Sequence, residues 1–309
     1  MRVVIITGSS SGIGRETAVH FAKKGWQVVL TGRNEKNLEE TVQACKKTAH
    51  KDSQVATVIG DISSLAVAEK LVKTAVSKFG RIDCLVNSAG ISILGKFADA
   101  PLENYDQLFN VNGKIILVRA RPESGDILCA LSCSPGRRLP QHVEGPPSGH
   151  LLVKGVFIPS IRIYSSTPPP QRRALTKLAI PHIIKTKGTI VNVSSVAALT
   201  SHIAYGYYSM TKSALDAYTK ILALEMAPHG VRVNTVNPAM IETPMFEAVG
   251  FTAEEKTKML EEAKKTHALG RHGQPDEVAK AIFWLAGPDS SFTTGQQLKV
   301  DGGYVLMRP

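Results

Sequence analysis

The turn Thr7-Gly8-Ser9-Ser10-Ser11-Gly12-Ile13-Gly14 closes an apolar β-branched run and opens a helical pattern, within the first 14 residues of the chain. Glycines there let the backbone turn tightly, and a helix N-terminus beside them offers free N–H groups and the positive end of a dipole. Such a turn is a strand-to-helix junction, and the rest of the chain repeats the alternation. Short runs at Val3–Thr7, Gln27–Thr31, Gln54–Gly60, Cys84–Asn87, Thr189–Val193, Arg232–Val236 and Gln297–Val300 read as buried parallel strands. Helical patterns separate them at Gly14–Lys24, Glu35–Ala49, Ser64–Phe79, Ser209–Ala227 and Pro275–Ala286. The expected fold is α/β, a doubly wound seven-stranded parallel sheet with helices on both faces, in one domain spanning 1–309. Ligands of such a sheet bind beyond the carboxyl ends of the strands.

Composition narrows the function classes. With 43% hydrophobic and 20% charged residues, 309 residues can build a full core, which rules out disorder along the whole length. No apolar run approaches the roughly 18 residues that a membrane helix needs, so no membrane association is expected. The first residues lack the pattern of a secretory signal, and the four cysteines lack disulfide spacing. A cytoplasmic location is the expectation, with an organellar matrix as the other reducing compartment. The net charge of +11 raises nucleic acid as a partner, but no basic–aromatic interleaving accompanies it, and none is expected to bind. Cys129, Cys133 and His142 do not complete a tetrahedral metal set, so no metal is expected.

The residues beyond the strand ends carry the chemistry. The second strand ends in Gly32-Arg33, where an NAD site would carry a carboxylate for the ribose 2′-hydroxyl. A guanidinium suits a 2′-phosphate, so NADP is expected over NAD. Tyr208 and Lys212 are four apart on a helical pattern and share a face. A phenol titrates near pH 10 in water, and a neighbouring ammonium, with a positive nicotinamide ring, is expected to lower it. Ser195, 13 residues before Tyr208 and after a strand, is placed to hydrogen-bond a carbonyl oxygen. Tyr205 and Tyr207 compete for the tyrosine's part, but neither has a lysine four residues later.

Taken in order, the TGSSSGIG loop, Asp61, Asn87-Ser88-Ala89-Gly90, Ser195, Tyr208-x-x-x-Lys212, Asn237-Pro238 and Val300-Asp301-Gly302-Gly303 resemble the classical short-chain dehydrogenase/reductase family. The wording is nearest to its 3-oxoacyl-[acyl-carrier-protein] reductase-like subgroup. The resemblance covers roughly 2–117 and 174–306. It implies a Rossmann fold and hydride transfer between NADP(H) and a carbonyl or secondary alcohol, through a Tyr208–Lys212–Ser195–Asn112 relay. It also implies cofactor contacts from Gly8, Ser10, Ser11, Gly12, Ile13, Gly14, Arg33, Asp61, Ile62, Asn87, Ala89, Gly90, Tyr208, Lys212, Pro238, Ile241 and Thr243. The implied partner is a small carbonyl or alcohol substrate, and the implied assembly is a homo-tetramer or dimer. Ala239 follows Asn237-Pro238 where the family commonly has glycine. The mixed-charge segment from Lys256 to Lys265 is either a cover over the substrate cleft, as in the family, or a solvated face.

One window departs from its surroundings. Val118–Arg173, 56 residues, holds nine of the 17 prolines and eight Lys/Arg against three Asp/Glu. Asn112 and Lys177 stand 65 apart, where the family places one short helical stretch. Removing the window joins Gly113–Leu117 to Ala174–Lys177 in one helical pattern running to Ile184. The window reads as foreign to the fold, a long irregular insertion of the kind a retained intron translated in frame would give. A genuine docking insertion is the rival reading. Either splits a helix and is expected to leave Asn112 on a short, frayed turn. The alternative function is therefore a cofactor-binding protein whose catalysis the insertion impairs.

Overall fold

The computed structural model describes residues 1–50, 53–113, 152–153, 156–157 and 175–307. The chain divides into two compact units, one of Met1–Val118 with Arg173–Pro309 and one of Arg119–Arg172. The expected irregular insertion at 118–173 lies outside the described residues, except for two short strands. These are β5 (Leu152–Val153) and β6 (Val156–Phe157), paired antiparallel.

The larger unit runs β1 (Val3–Ile6), α1 (Gly12–Lys23), β2 (Gln27–Gly32), α2 (Glu35–Thr48), β3 (Val55–Ile59), α3 (Leu65–Phe79), β4 (Cys84–Asn87) and α4 (Leu102–Leu108). After α5 (Leu175–Thr186) come β7 (Thr189–Val193), α6 (Gly206–Met226), β8 (Arg232–Pro238), α7 (Met245–Val249), α8 (Ala253–Thr266), α9 (Pro275–Ala286) and β9 (Gln297–Val300). Seven strands form one sheet in the order β3-β2-β1-β4-β7-β8-β9, parallel throughout. This is the doubly wound α/β sheet that the alternation implied.

Strand residues alternate between two apolar layers, because successive side chains point to opposite faces. Val4 and Ile6 of β1 join Val28, Leu30, Phe21 and Ile282 on the face covered by α1 and α9. Val3 and Ile5 join Leu71, Leu85, Ile183 and Ile190 on the face covered by α3 and α5. The central strands β1, β2, β4 and β7 are buried along their length, so their carboxyl ends stand in fixed places.

Candidate active site

The Thr7–Gly14 turn is pinned by hydroxyls. Thr7 Oγ1 accepts from the backbone N–H groups of Ser88 and Ala89, each at 3.0 Å, joining the ends of β1 and β4. Buried Ser9 donates to the carbonyl of Thr31 at 3.1 Å and accepts from its N–H at 3.0 Å, joining the turn to β2. Arg15 reaches across to α2, donating to the carbonyls of Ser10 (3.0 Å) and Asn37 (3.1 Å) and to Glu40 (3.1 Å). The sequence marks the turn but not these tethers, since hydroxyls and a helical arginine show no partner until the turn is folded.

Two glycines of the turn have no room for a side chain, and a third has little. A Cβ on Gly14 would lie 2.2 Å from the Gly8 carbonyl oxygen, and one on Gly8, at φ +66°, would lie 2.7 Å from Ala89 Cα. One on Gly12, at φ +52°, would meet the Thr243 side chain at 3.2 Å. The turn, Ala89 and Thr243 thus close around one cleft. At its floor, Ser11 precedes α1 without a side-chain cap, and no acidic residue occupies the first turn of that helix. Uncapped N–H groups at the positive end of a 12-residue helix, with no carboxylate beside them, suit a phosphate. The residues present fit a dinucleotide.

Beside the cleft, Gly32 also lacks space: a Cβ there would lie 2.8 Å from that of Ser10. Arg33 follows it and is exposed. Asp61 follows Gly60 beyond β3, and its Oδ1 accepts from Ser63 N–H at 2.7 Å, while Ile62 packs against the core layer of α3. Asn87 is buried and donates to Asn192 at 2.8 Å and Thr176 at 3.2 Å, so its amide nitrogen serves the protein interior. Pro238 ends β8 in register with Val300.

The four candidate catalytic residues converge beyond β4 and β7. A Cβ on Gly90 would lie 3.3 Å from Asn112 Oδ1 and 3.7 Å from Lys212 Nζ, which places both groups against one backbone position. Asn112 is 2% exposed and clamps Ile91, accepting from its N–H and donating to its carbonyl, each at 2.9 Å. It also donates to Thr211 at 3.2 Å. It sits in a single π-turn, Phe109–Gly113, that continues α4. The turn is short, as expected, and three hydrogen bonds to the site's own backbone and to α6 hold the Asn112 side chain on it; what directly follows 113 lies outside the described residues.

Lys212 is buried on α6, and its ammonium donates to the Val193 carbonyl at 2.9 Å and lies 5.6 Å from the centre of the Tyr208 ring. Burial lowers it to about 8, and Asp216 opposes the shift. Tyr208 is pushed up to about 12, again by burial, with a hydrogen bond from Ser195 acting in the opposite direction. The lowering expected from an ammonium together with a positive nicotinamide ring is not seen in the protein alone, where burial raises the phenol and Ser195 is the group that opposes it. At neutral pH the phenol therefore holds its proton. Ser195 Oγ accepts from Ala197 N–H at 3.1 Å, so its own hydrogen is free to face Tyr208 or a carbonyl oxygen. Tyr207 instead packs with Phe97 and Tyr105, away from this group.

A cavity of about 170 Å³ opens beside Ser195 and Tyr208. Leu94, Ile241, Met245, Phe246, Phe251 and Met259 give it an apolar wall, with Tyr205 and Thr243 also on its lining. Met259 comes from α8, so the segment of Lys256–Lys265 does reach the cleft. Among the described residues no cluster of three His, Cys, Asp or Glu is placed to hold a metal, and no helix is long and apolar enough to cross a membrane. The arrangement can accept a dinucleotide, hold a carbonyl beside Ser195 and give it the proton of Tyr208.

Comparison with known proteins agrees with this geometry. A family model described as short chain dehydrogenase matches residues 2–121, and one described as enoyl-(acyl carrier protein) reductase matches 173–305. The chain is similar to the 3-oxoacyl-[acyl-carrier-protein] reductase FabG of Thermotoga maritima, 31% identical over 306 residues, covering 99% of this chain and 98% of that one. A crystal structure of a short-chain dehydrogenase/reductase from Caenorhabditis elegans, solved with cofactor, is 30% identical with a TM-score of 0.77, covering 99% of this chain and 95% of that one. The apo glucose dehydrogenase of C. elegans is 33% identical with a TM-score of 0.67, covering 99% and 98%. With the sheet, the glycine turn and the clustered tyrosine and lysine already in place, these matches settle the family: the chain belongs to the short-chain dehydrogenase/reductases, oxidoreductases that act on CH–OH and C=O groups.

Proposed function

We propose that this protein transfers a hydride between NADP(H) and a small, apolar carbonyl compound or the corresponding secondary alcohol. The observation that carries the reading is the convergence of Asn112 and Lys212 on Gly90, beside Tyr208 and Ser195, at the mouth of the glycine cleft. When bound, the nicotinamide supplies or accepts the hydride. The protein's residues do the remainder. Ser195 orients the substrate oxygen and polarises it, and Tyr208 gives that oxygen its phenolic proton during reduction. Lys212 holds positive charge beside the phenol as it loses the proton, and Asn112 fixes the Ile91 backbone that borders the relay.

NADP is favoured by Arg33, whose exposed guanidinium stands beside a Gly32 that cannot carry a carboxylate under Ser10. For the substrate, a cavity of about 170 Å³ compares with the ~150 Å³ engineered apolar cavity that accepts benzene. It suits a ketone bearing one ring or a short chain. The experiment is a titration with NADPH and NADH, followed by turnover of a carbonyl panel (acyl thioesters, steroids, sugars, quinones and aryl ketones) at 340 nm. Tighter NADPH binding and turnover of the compact apolar members are expected. NADPH binding without turnover of any member would favour the impaired-enzyme alternative.

A homo-oligomer and a cytoplasmic location are part of the same reading. Ile221 and Leu224 on α6, and Trp284 and Phe292 near α9, are large exposed apolar residues of the kind a subunit contact covers. We also read 118–173 as foreign to the fold. The two family models leave 122–172 between them unmatched, and the compact units divide at Val118 and Arg173. A chain lacking 118–173 should melt higher and turn over faster, and its failure to fold would overturn this part.

A further inference from the structure

Asp216 lies four residues beyond Lys212 on the same face of α6 and is 3% exposed. Its Oδ2 accepts from Asn237 at 2.9 Å and from Gln297 at 2.8 Å, so α6 is tied to β8 and β9 through one carboxylate oxygen. The same Asn237 amide donates to the Ser195 carbonyl at 3.0 Å. Thr235 donates to Asn237 Oδ1 at 2.8 Å, which fixes which end of the amide faces Ser195 and Asp216. On the other side of the network, the Ser194 hydroxyl donates to the Lys212 carbonyl at 3.3 Å. A carboxylate in this position is costly to bury, and an apolar residue of similar size would pack without that cost.

We propose that Asp216 is a positioning residue, serving as counter-charge to Lys212 and, through Asn237, as the anchor of the Ser195 backbone. It touches neither substrate nor cofactor and acts through the two residues that do; the inference rests on the reading of Lys212 and Ser195 given above. Lys212 and Asp216 are both buried on one face of α6, four residues apart and without a direct hydrogen bond, so each charge acts on the other through the protein interior. The packed elements face the pair with neutral groups: Ser194 at the end of β7, Thr235 and Asn237 on β8, and Gln297 on β9. On α6 itself Tyr208 is the remaining titratable neighbour. Burial drives the two partners towards their neutral forms, Lys212 downward and Asp216 upward, and the opposite charge of each works against that shift.

The test needs neither cofactor nor substrate, so it stays readable even if the protein reduces no carbonyl offered to it. Full-length protein labelled with ¹³C at the lysine ε-carbon is titrated by NMR, and the Lys212 signal is identified by its loss in Lys212→Arg. In the parent it should titrate near 8. In Asp216→Asn the midpoint should fall by about one pH unit or more, and Asp216→Glu should restore much of the difference. If Asp216→Asn does not fold, the reciprocal measurement applies: in Lys212→Met, the ¹³C-labelled carboxyl of Asp216 should titrate about one unit higher than in the parent. A carboxylate that only fills space would change the melting temperature and leave these titrations alone. An unchanged Lys212 midpoint in folded Asp216→Asn, or an unchanged Asp216 carboxyl in Lys212→Met, overturns the proposal.

Discussion

The two sides of the carboxyl edge are built from different materials. Around the turn between β1 and α1, the buried polar groups are hydroxyls, Thr7, Ser9, Thr31 and Thr41, and the cleft is shaped by glycines that exclude Cβ atoms. Around β7, α6 and β8, buried hydroxyls such as Ser194, Thr211, Thr219 and Thr235 are joined by an ammonium, a carboxylate and amides, Lys212, Asp216, Asn192, Asn234 and Asn237. The first side offers backbone N–H groups and shape, which cost little to bury because no charge is desolvated. The second side holds charges out of water, and the same burial moves Lys212 down to about 8 and Tyr208 up to about 12. On the proposed reading, binding falls to one side and proton transfer to the other, and changes on each side should register in different measurements.

The largest effect is expected on the proton-transfer side. Tyr208→Phe should lower kcat by about 10²–10⁴, with the NADPH dissociation constant nearly unchanged, since the phenol acts on the substrate proton. Turnover close to the parent's would move the acid to another group, and Tyr205→Phe is the matching control. On the binding side, Gly14→Ala forces a methyl onto the Gly8 carbonyl. It should cost about 1–3 kcal/mol by overpacking and weaken NADPH and NADH alike, as read by calorimetry and thermal melting. Equal affinities in Gly14→Ala and the parent would show that the turn does not shape the cleft. A smaller and more selective effect belongs to Arg33→Ala. Losing a charge-assisted contact worth about 1.5–3 kcal/mol should weaken NADPH roughly tenfold or more and leave NADH where it was. A parallel loss for both cofactors would remove Arg33 from discrimination.

The same division governs what the sequence reveals. Runs such as Val3–Thr7 and Thr189–Val193 mark strands because both faces of a parallel sheet are buried, and the glycine turn marks its cleft because only glycine fits there. Element ends were less legible: α6 begins at Gly206 rather than Ser209, and β8 extends to Pro238, since the neighbouring strand β9 continues the pairing through Val300. Tyr208 and Lys212 are visible from their spacing, but the direction of the phenol's shift is not. That direction depends on how completely α6 and the Ile91 backbone exclude water, which no local pattern encodes. Asp216 stands at a readable spacing from Lys212, yet a lone acidic residue on a helix looks like a solvated one until the Asn237 and Gln297 amides are brought to it. For Asn112, helix length alone predicts the short turn on which it stands. Its hydrogen bonds to Ile91 come from across the site, beyond the reach of reasoning about helix length.

The central claim, hydride transfer at the Tyr208–Lys212–Ser195 site, is tested most directly by following the hydride itself. The parent protein and Tyr208→Phe are each given NADPH deuterated at the transferable C4 position, with the panel ketone that the parent reduces fastest, and the alcohol is analysed by mass spectrometry. The account predicts one deuterium on the carbinol carbon per NADPH consumed by the parent, and a deuterated product formed at least about 100-fold more slowly by Tyr208→Phe, which still binds the cofactor. Alcohol without deuterium, or equal rates from the two proteins, would contradict it.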